Sequence, residues 1–315
     1  MSEYRSGFVT IVGCPNVGKS TLLNKIIGQK IAIVTDRAQT TRNKITGVLS
    51  RSGYQIVFLD TPGVTNPKNK LGEYMQKVTF DAMNEVEAIL FVADAEQGVR
   101  DHDAVLLERL SHAKAPVIAF VNKCDVCSKG QIDEAVAALE EREFIKAVLH
   151  GSAGTGEGLD KLETALFERM VEGPQYFPDD MVTDQPERII CAELIREKAL
   201  LLLREEVPHG IGVAVEKMER REDRDLMDVY ATIYCERESH KGIVIGKGGS
   251  MLKRIGQESR KDIEWMLGTP VNLQLWVKIK EDWRNRQGML HELGYESKRL
   301  AQPSGHAARA GLRIK

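Results

Sequence analysis

Residues 8–13, FVTIVG, form a short apolar run closed by a glycine, and residues 20–28, STLLNKIIG, place apolar side chains at helical spacing. Strands are predicted at 45–50 (ITGVLS) and 54–60 (YQIVFLD), joined by a tight Ser-Gly turn. The runs at 88–94 (AILFVAD) and 117–123 (VIAFVNK) are almost continuously apolar, as buried parallel strands are. Helical patterns at 70–83, 101–112 and 131–142 separate these runs, and a strand at 145–153 and a helix at 158–170 close the unit. Strand and helix alternating in this way predict a doubly wound α/β domain over residues 5–172. Its sheet is mixed, mostly parallel, with one antiparallel edge hairpin.

The stretch 173–187, GPQYFPDDMVTDQPE, is rich in proline and aspartate and has no period, so it reads as a linker. Residues 188–290 then predict a small α+β domain. An amphipathic helix (IICAELIREKALLLLREEV) precedes two alternating strands (GIGVAVEKM and LMDVYATIYCE), a second helix (SMLKRIGQESRKDIEWML) and a third strand (VNLQLWVKI). The order is α-β-β-α-β, with a short helix expected at 281–287. Trp265 and Trp276 fall on apolar repeats and are expected in the core, while the pattern leaves Trp283 open. Residues 291–315 read as a basic, flexible tail rich in small residues.

Charge changes this picture. The net charge is −2, but residues 236–315 hold 16 Lys/Arg against 9 Asp/Glu, so an acidic body carries a basic end suited to a polyanion. The 5 cysteines are scattered and odd in number, which suggests a reducing compartment and no disulfide framework. Cys124 and Cys127 form an isolated C-x2-C, and no metal site is read from it. There is no run of apolar residues long enough to span a bilayer and no signal region, so a cytoplasmic protein is expected.

The chemistry starts at Gly13-Cys14-Pro15-Asn16-Val17-Gly18-Lys19-Ser20, followed by Thr21. Between a strand and a helix, this spacing is a phosphate cradle. Its backbone N–H groups and the helix start favour an anion. Lys19 would reach the β- and γ-phosphates, and the Ser20 hydroxyl would hold Mg²⁺. Asp60-Thr61-Pro62-Gly63 ends a strand, so Asp60 can hold the magnesium through water and the Gly63 amide can meet the γ-phosphate. Thr40-Thr41 lies in a polar loop suited to a second magnesium ligand, with Thr41 favoured. Asn122-Lys123-x-Asp125 follows a strand. The Asp125 carboxylate can accept both N1–H and N2–H₂ of guanine, Lys123 can cover the base, and Asn122 can tie this loop to the phosphate loop. Ser152-Ala153 can offer a backbone amide to guanine O6. The nucleotide is therefore expected to be GTP/GDP, with Mg²⁺.

This set resembles the translation-factor-related class of small GTPases. Ras-like relatives place a glutamine soon after the DxxG motif to orient the attacking water, whereas Val64 follows here and cannot hydrogen-bond through its side chain. Slow intrinsic turnover is expected. In GTPases with PNVGKS, Asn16 is implied to help hold K⁺ near the β/γ bridge, where a cation acts like an arginine finger. Asn16, Lys19, Thr41 and Gly63 are the expected catalytic set.

Val244-Ile245-Gly246-Lys247-Gly248-Gly249 precedes a predicted helix and has the G-x-x-G form of a KH domain, in which a nucleic-acid backbone packs against a helix start. Gly246, Gly248, Gly249 and Lys247 are the candidate RNA contacts, with Lys241, Lys253 and Arg254 as weaker ones. The arrangement is that of a type II KH domain. Together with QKIAIVTDRAQTTR (29–42), IREKALLLLREEVPHG (195–210), GKGGSMLKRIG (246–256) and VKIKEDWRNR (277–286), the whole resembles the Era family over roughly residues 5–295. That resemblance implies a ribosome-assembly GTPase that binds the single-stranded 3′ end of 16S rRNA on the 30S subunit. It also implies peripheral association with the inner face of the cell membrane, and a monomer when free. Residues 297–315 extend past the family's usual end, and Cys14 at a variable loop position could make nucleotide binding sensitive to oxidation. A signalling or peripheral-membrane adaptor whose basic domain meets lipid or protein is the alternative. A tRNA-modification GTPase would need a further catalytic domain.

Overall fold

The structure, a computed structural model, describes residues 4–37, 39–99, 101–204, 207–295 and 312–313. Strand β1 (Arg5–Val12) leads through the phosphate loop into α1 (Lys19–Ile27). Strands β2 (Ile45–Arg51) and β3 (Tyr54–Asp60) form the antiparallel hairpin. Helix α2 (Lys70–Ala82), β4 (Ala88–Asp94), α3 (Asp101–Ser111), β5 (Val117–Asn122), α4 (Lys129–Glu140), β6 (Ile145–His150) and α5 (Leu159–Phe167) follow. A two-residue strand, β7 (Val171–Glu172), pairs antiparallel with the start of β1.

The sheet order is β2-β3-β1-β4-β5-β6, parallel throughout except at the hairpin and β7. β1 has β3 on one side and β4 on the other, so the strand order reverses there. Ligands of open α/β sheets bind outside the carboxyl ends of strands at such a point. Every residue of β4 and β5 is buried, which explains their unbroken apolar sequence.

The segment read as a linker is packed along the first domain. Gln55 Oε1 accepts the N–H groups of Tyr176 and Phe177, each at 3.0 Å, and the Ser6 hydroxyl donates to the Pro174 carbonyl at 2.7 Å. It also holds strand β8 (Met181–Thr183), which is wholly buried. Helix α6 (Glu187–Leu202) then opens the second domain, followed by β9 (Gly212–Arg220) and β10 (Met227–Cys235).

An element absent from the predicted order comes next. The apolar stretch ending at Ile245 is a helix, α7 (Glu238–Ile245), and it is followed by α8 (Ser250–Leu267) and β11 (Val271–Ile279). The G-x-x-G loop therefore joins two helices instead of a strand and a helix. The reason is topological: β10 pairs antiparallel with β9 but parallel with β11, and a parallel neighbour requires a crossover that α7 and α8 supply. A 3₁₀ turn (Trp283–Asn285) stands where the short helix was expected, and α9 (Gln287–Glu292) follows it.

Two tryptophan assignments are corrected. Trp265 and Trp276 are exposed, at 60% and 42%, and Trp276 stacks on Tyr230 with ring centroids 6.0 Å apart. Strand alternation explains Trp276: Leu273 and Leu275 face the helices, so Trp276 falls on the opposite side. Trp283, which the pattern left open, is fully buried. Most of the expected tail lies outside the described residues, but its first part is not a tail: Leu293 and Tyr295 are buried beside Trp283. At the far end β12 (Leu312–Arg313) pairs with β8. Among the described residues, no helix is long and apolar enough to cross a membrane.

Trp283 donates through Nε1 to the Gly210 carbonyl at 2.9 Å and packs with Tyr234, Leu290 and Leu293 of its own domain and Leu71 and Tyr74 of α2. Trp283→Ala is expected to remove about 3–5 kcal/mol of stability, in the range for large buried aromatics. A urea midpoint followed by circular dichroism measures it, and a loss near zero would contradict this packing.

Candidate nucleotide and RNA sites

The phosphate loop closes on itself through Lys19. Its ammonium group is buried and donates to the carbonyls of Gly13 at 3.0 Å and Cys14 at 2.8 Å, and burial pulls its pKa below the usual lysine value. The Ser20 hydroxyl sits 2.7 Å from Asp60 Oδ2 and 2.8 Å from the Thr41 hydroxyl. Asp60 is fully buried, its Oδ1 has no hydrogen-bond partner, and burial pushes its pKa up to about 6. Two hydroxyls and a carboxylate with one buried oxygen left unpartnered form a hard oxygen donor set of the kind that suits Mg²⁺. Thr40 is used differently: its hydroxyl bonds Thr35 and the Arg37 carbonyl. The geometry thus sets Thr41, the threonine favoured from sequence, beside Ser20 and turns Thr40 away from it.

Gly63 lies directly against this loop. A Cβ there would meet Pro15 N at 2.7 Å and Pro15 Cα at 2.8 Å, so only glycine permits the approach. Val64 is buried in the apolar cluster under the loop. Asn16 is exposed, in the left-handed region, and donates to the Asp36 carbonyl at 2.8 Å. Cys14, Pro15 and Val17 complete the loop, and Thr21 is half-buried in the first turn of α1.

Asn122 ties the second loop to the first. Its Nδ2 donates to the Val17 carbonyl at 2.8 Å, and its Oδ1 accepts the Ala153 N–H at 2.8 Å. Ser152 N–H is likewise committed, to the Glu157 carbonyl at 3.0 Å. Both amides read as candidate donors to guanine O6 thus have an acceptor within the protein. Lys123 Nζ pairs with buried Asp94 at 2.7 Å, a partner the motif did not reveal. Asp125 is exposed in a 3₁₀ turn (Cys124–Val126), open to a base edge.

Both loops that follow the phosphate loop are held by the second domain. The Arg42 guanidinium is 2% exposed and donates to the carbonyls of Ile211 at 2.6 Å and His209 at 3.3 Å. It also lies 5.7 Å from the Trp283 ring centroid, within cation–π range. Asn43 Nδ2 donates to the Gly294 carbonyl, and Lys70 N–H donates to Asn285 Oδ1, each at 3.1 Å. A cavity of about 1030 Å³ has both domains in its wall, with Pro15, Asn16, Val64 and Asp94 on one side and His209 and Arg284 on the other.

In the second domain, Gly246, Gly248 and Gly249 all have positive φ (72°, 60° and 80°), a backbone that L side chains rarely adopt. Lys247 and Gly248 are exposed at its tip. Gly249 opens onto a groove of about 470 Å³ between α8 and β11, lined by Leu252, Leu273 and Leu275 with Lys253, Gln257 and Arg260. Lys241 lies on α7, and Arg254 is exposed in the first turns of α8; neither lines the groove. The groove residues after Arg254 were missed, although alternation in VNLQLWVKI already put Leu273 and Leu275 on one face.

Fold and site together define a P-loop GTPase that carries a KH domain. A family model described as a 50S ribosome-binding GTPase matches residues 8–123, and a KH-domain model matches residues 206–284. The chain is 51% identical over 294 residues to GTPase Era of Alkaliphilus metalliredigens, covering 93% of this chain and 100% of that protein. It is 50% identical over 296 residues to GTPase Era of Clostridioides difficile, covering 94% and 100%. A variant of Aquifex aeolicus Era bound to GDP·AlF₄⁻ superposes with a TM-score of 0.89 at 37% identity, covering 92% of this chain and 99% of that one. Era in complex with MgGDPNP and nucleotides 1506–1542 of 16S ribosomal RNA gives 0.89 at 38% identity, covering 93% and 99%. The chain belongs to the Era family of GTPases, with an N-terminal GTPase domain and a C-terminal KH domain.

Proposed function

We propose that the protein is a GTP-hydrolysing switch that binds single-stranded 16S rRNA near its 3′ end and assists assembly of the 30S subunit. The observation that carries the RNA half is the positive-φ glycine loop opening onto the leucine-lined groove. Without side chains at the loop, a phosphate backbone can approach the start of α8, and unpaired bases can lie on the leucines. The likeness to the relative solved with 16S rRNA supports this choice of RNA.

At the other end, the backbone N–H groups of residues 16–20 cradle the phosphates. Lys19 spends two of its three N–H donors on the Gly13 and Cys14 carbonyls and has a third for the β- and γ-phosphates. Ser20, Thr41 and Asp60 would hold Mg²⁺, which when bound offsets charge on the phosphate oxygens. Gly63 offers its N–H to the γ-phosphate, so loss of that group is felt first by residues 64–69 and then at Lys70, which Asn285 holds. Asp125 reads guanine through two donors that adenine does not present together. Buried Val64 gives no hydrogen bond to the attacking water, so unaided hydrolysis is slow. We assign the missing positive charge to K⁺ near Asn16, and to the cell the cytoplasm, with a monomeric protein between RNA encounters and peripheral contact at the inner face of the membrane.

Replacing Na⁺ by K⁺ at constant ionic strength is expected to raise the single-turnover hydrolysis rate about tenfold or more, as added transition-state charge does; an unchanged rate removes the ion from the account. Asp125→Asn is expected to lower GTP affinity about a hundredfold and improve binding of xanthosine triphosphate, because the amide offers one acceptor and one donor, which match N1–H and O2 of xanthine but not the two donors of guanine. Isothermal titration with both nucleotides measures this. Replacing Lys247 and Gly248 together by aspartate is expected to weaken binding of a single-stranded 16S 3′-end oligonucleotide by at least about tenfold through charge and close approach. GTP affinity should stay unchanged. If that double variant loses liposome binding while keeping RNA binding, the adaptor reading replaces this one.

A further inference from the structure

Two adjacent residues of α6, in the KH domain, hold the loop that delivers Thr41. Arg196 is fully buried and donates through one terminal nitrogen to the Thr40 carbonyl, while its Nε donates to Glu193 Oε1 at 2.9 Å. Glu197, 2% exposed, accepts the Val34 N–H on Oε1 at 2.9 Å. Its other oxygen meets Lys30 at 2.6 Å and Lys198 at 3.1 Å. Asp262 of α8 meets the same two lysines at 2.9 and 2.7 Å. The loop is thus anchored at Val34 and at Thr40, immediately before the threonine whose hydroxyl lies 2.8 Å from Ser20.

Arg196 Nη1 has no hydrogen-bond partner, so the bonds of its other nitrogens to Glu193 and the Thr40 carbonyl are what compensate the buried charge, and the bond to Thr40 forms only in this arrangement of the two domains. A loop pinned at both ends presents its next side chain in one position. A loop released at either end must be ordered again whenever a triphosphate and its metal bind, and that ordering cost lowers the apparent affinity. A diphosphate asks less of Thr41, so it does not bear that cost.

We infer that Arg196 and Glu197 are positioning residues of the nucleotide site: from the KH domain they aim the Thr41 hydroxyl at the triphosphate-bound metal. The inference rests on the reading of Thr41 as a metal-binding residue. It also gives α8 a part, because Asp262 belongs to the charge cluster and to the helix that flanks the RNA groove.

The test is a comparison of affinity for GDP and for GDPNP, each with and without Mg²⁺, in the full-length protein and three variants. Arg196→Ala is expected to weaken Mg²⁺-dependent GDPNP binding about tenfold, the ordering cost of a loop that spends most of its time unpositioned. GDP binding should be unchanged. Arg196→Lys, which keeps a donor for the Thr40 carbonyl, is expected to recover part of that loss, and it carries the test if the alanine variant does not fold. Thr41→Ala separates the two ideas. If it keeps the full Mg²⁺ dependence of GDPNP binding, the metal reading of Thr41 fails. If Thr41→Ala loses that dependence while both Arg196 variants keep the wild-type GDPNP-to-GDP ratio, or lose both nucleotides equally, the positioning role is overturned.

Discussion

Arg42 is a permanently charged side chain buried between two domains, and the rest of the arrangement depends on keeping it satisfied. Two backbone carbonyls of the KH domain accept its N–H groups, and the Trp283 ring lies beside it. Its Nε has no partner, so the compensation is incomplete and the remaining bonds matter more. Each hydrogen bond to such a charged group contributes on the order of 1.5–3 kcal/mol. Arg42 directly follows Thr41, so the segment that approaches the phosphates is also a segment of the domain interface. The contacts that join the two domains therefore directly adjoin the Ser20–Thr41 hydroxyl pair.

The second loop repeats this logic with apolar contacts. Gly63 touches the phosphate loop, and α2, a few residues on, packs Leu71, Tyr74 and Met75 against Trp283, Leu290 and Tyr295. Two sets of contacts thus join the neighbours of the phosphate loop to the KH domain, one polar through residues 40–43 and one apolar through α2. Packed interfaces respond to small shifts by repacking between discrete states. A GTPase built this way can trade nucleotide state for grip on RNA without any direct contact between the two ligands, provided each state favours a different packing.

The parallel sheet was legible because unbroken apolar runs such as AILFVAD have few other places to go than a buried strand. The phosphate and guanine loops were legible because their chemistry fixes residue types at fixed spacing. The interface was not. Arg42 and Arg196 meet backbone carbonyls, which leave no signature in sequence, and they come from segments far apart in the chain. A weak signal existed in IREKALLLLREEV, where Arg196 and Glu197 stand between apolar residues of α6 that are themselves buried; both charges are buried with them because the first domain covers that face. Helix α7 was hidden by Ile243, Val244 and Ile245, whose branched side chains favour strands until the crossover demands a helix. Trp276 was placed by hydrophobicity when the period of two already put it on the open side of β11.

The central claim is that the terminal phosphate of the nucleotide controls the hold of the KH groove on an unpaired strand. The direct measurement is the dissociation constant of a fluorescent single-stranded oligonucleotide for the GDPNP-loaded and the GDP-loaded protein at one fixed salt concentration. The account predicts tighter binding in the GDPNP state, by about tenfold, the scale of ordinary allosteric coupling. Equal dissociation constants in the two states would contradict it.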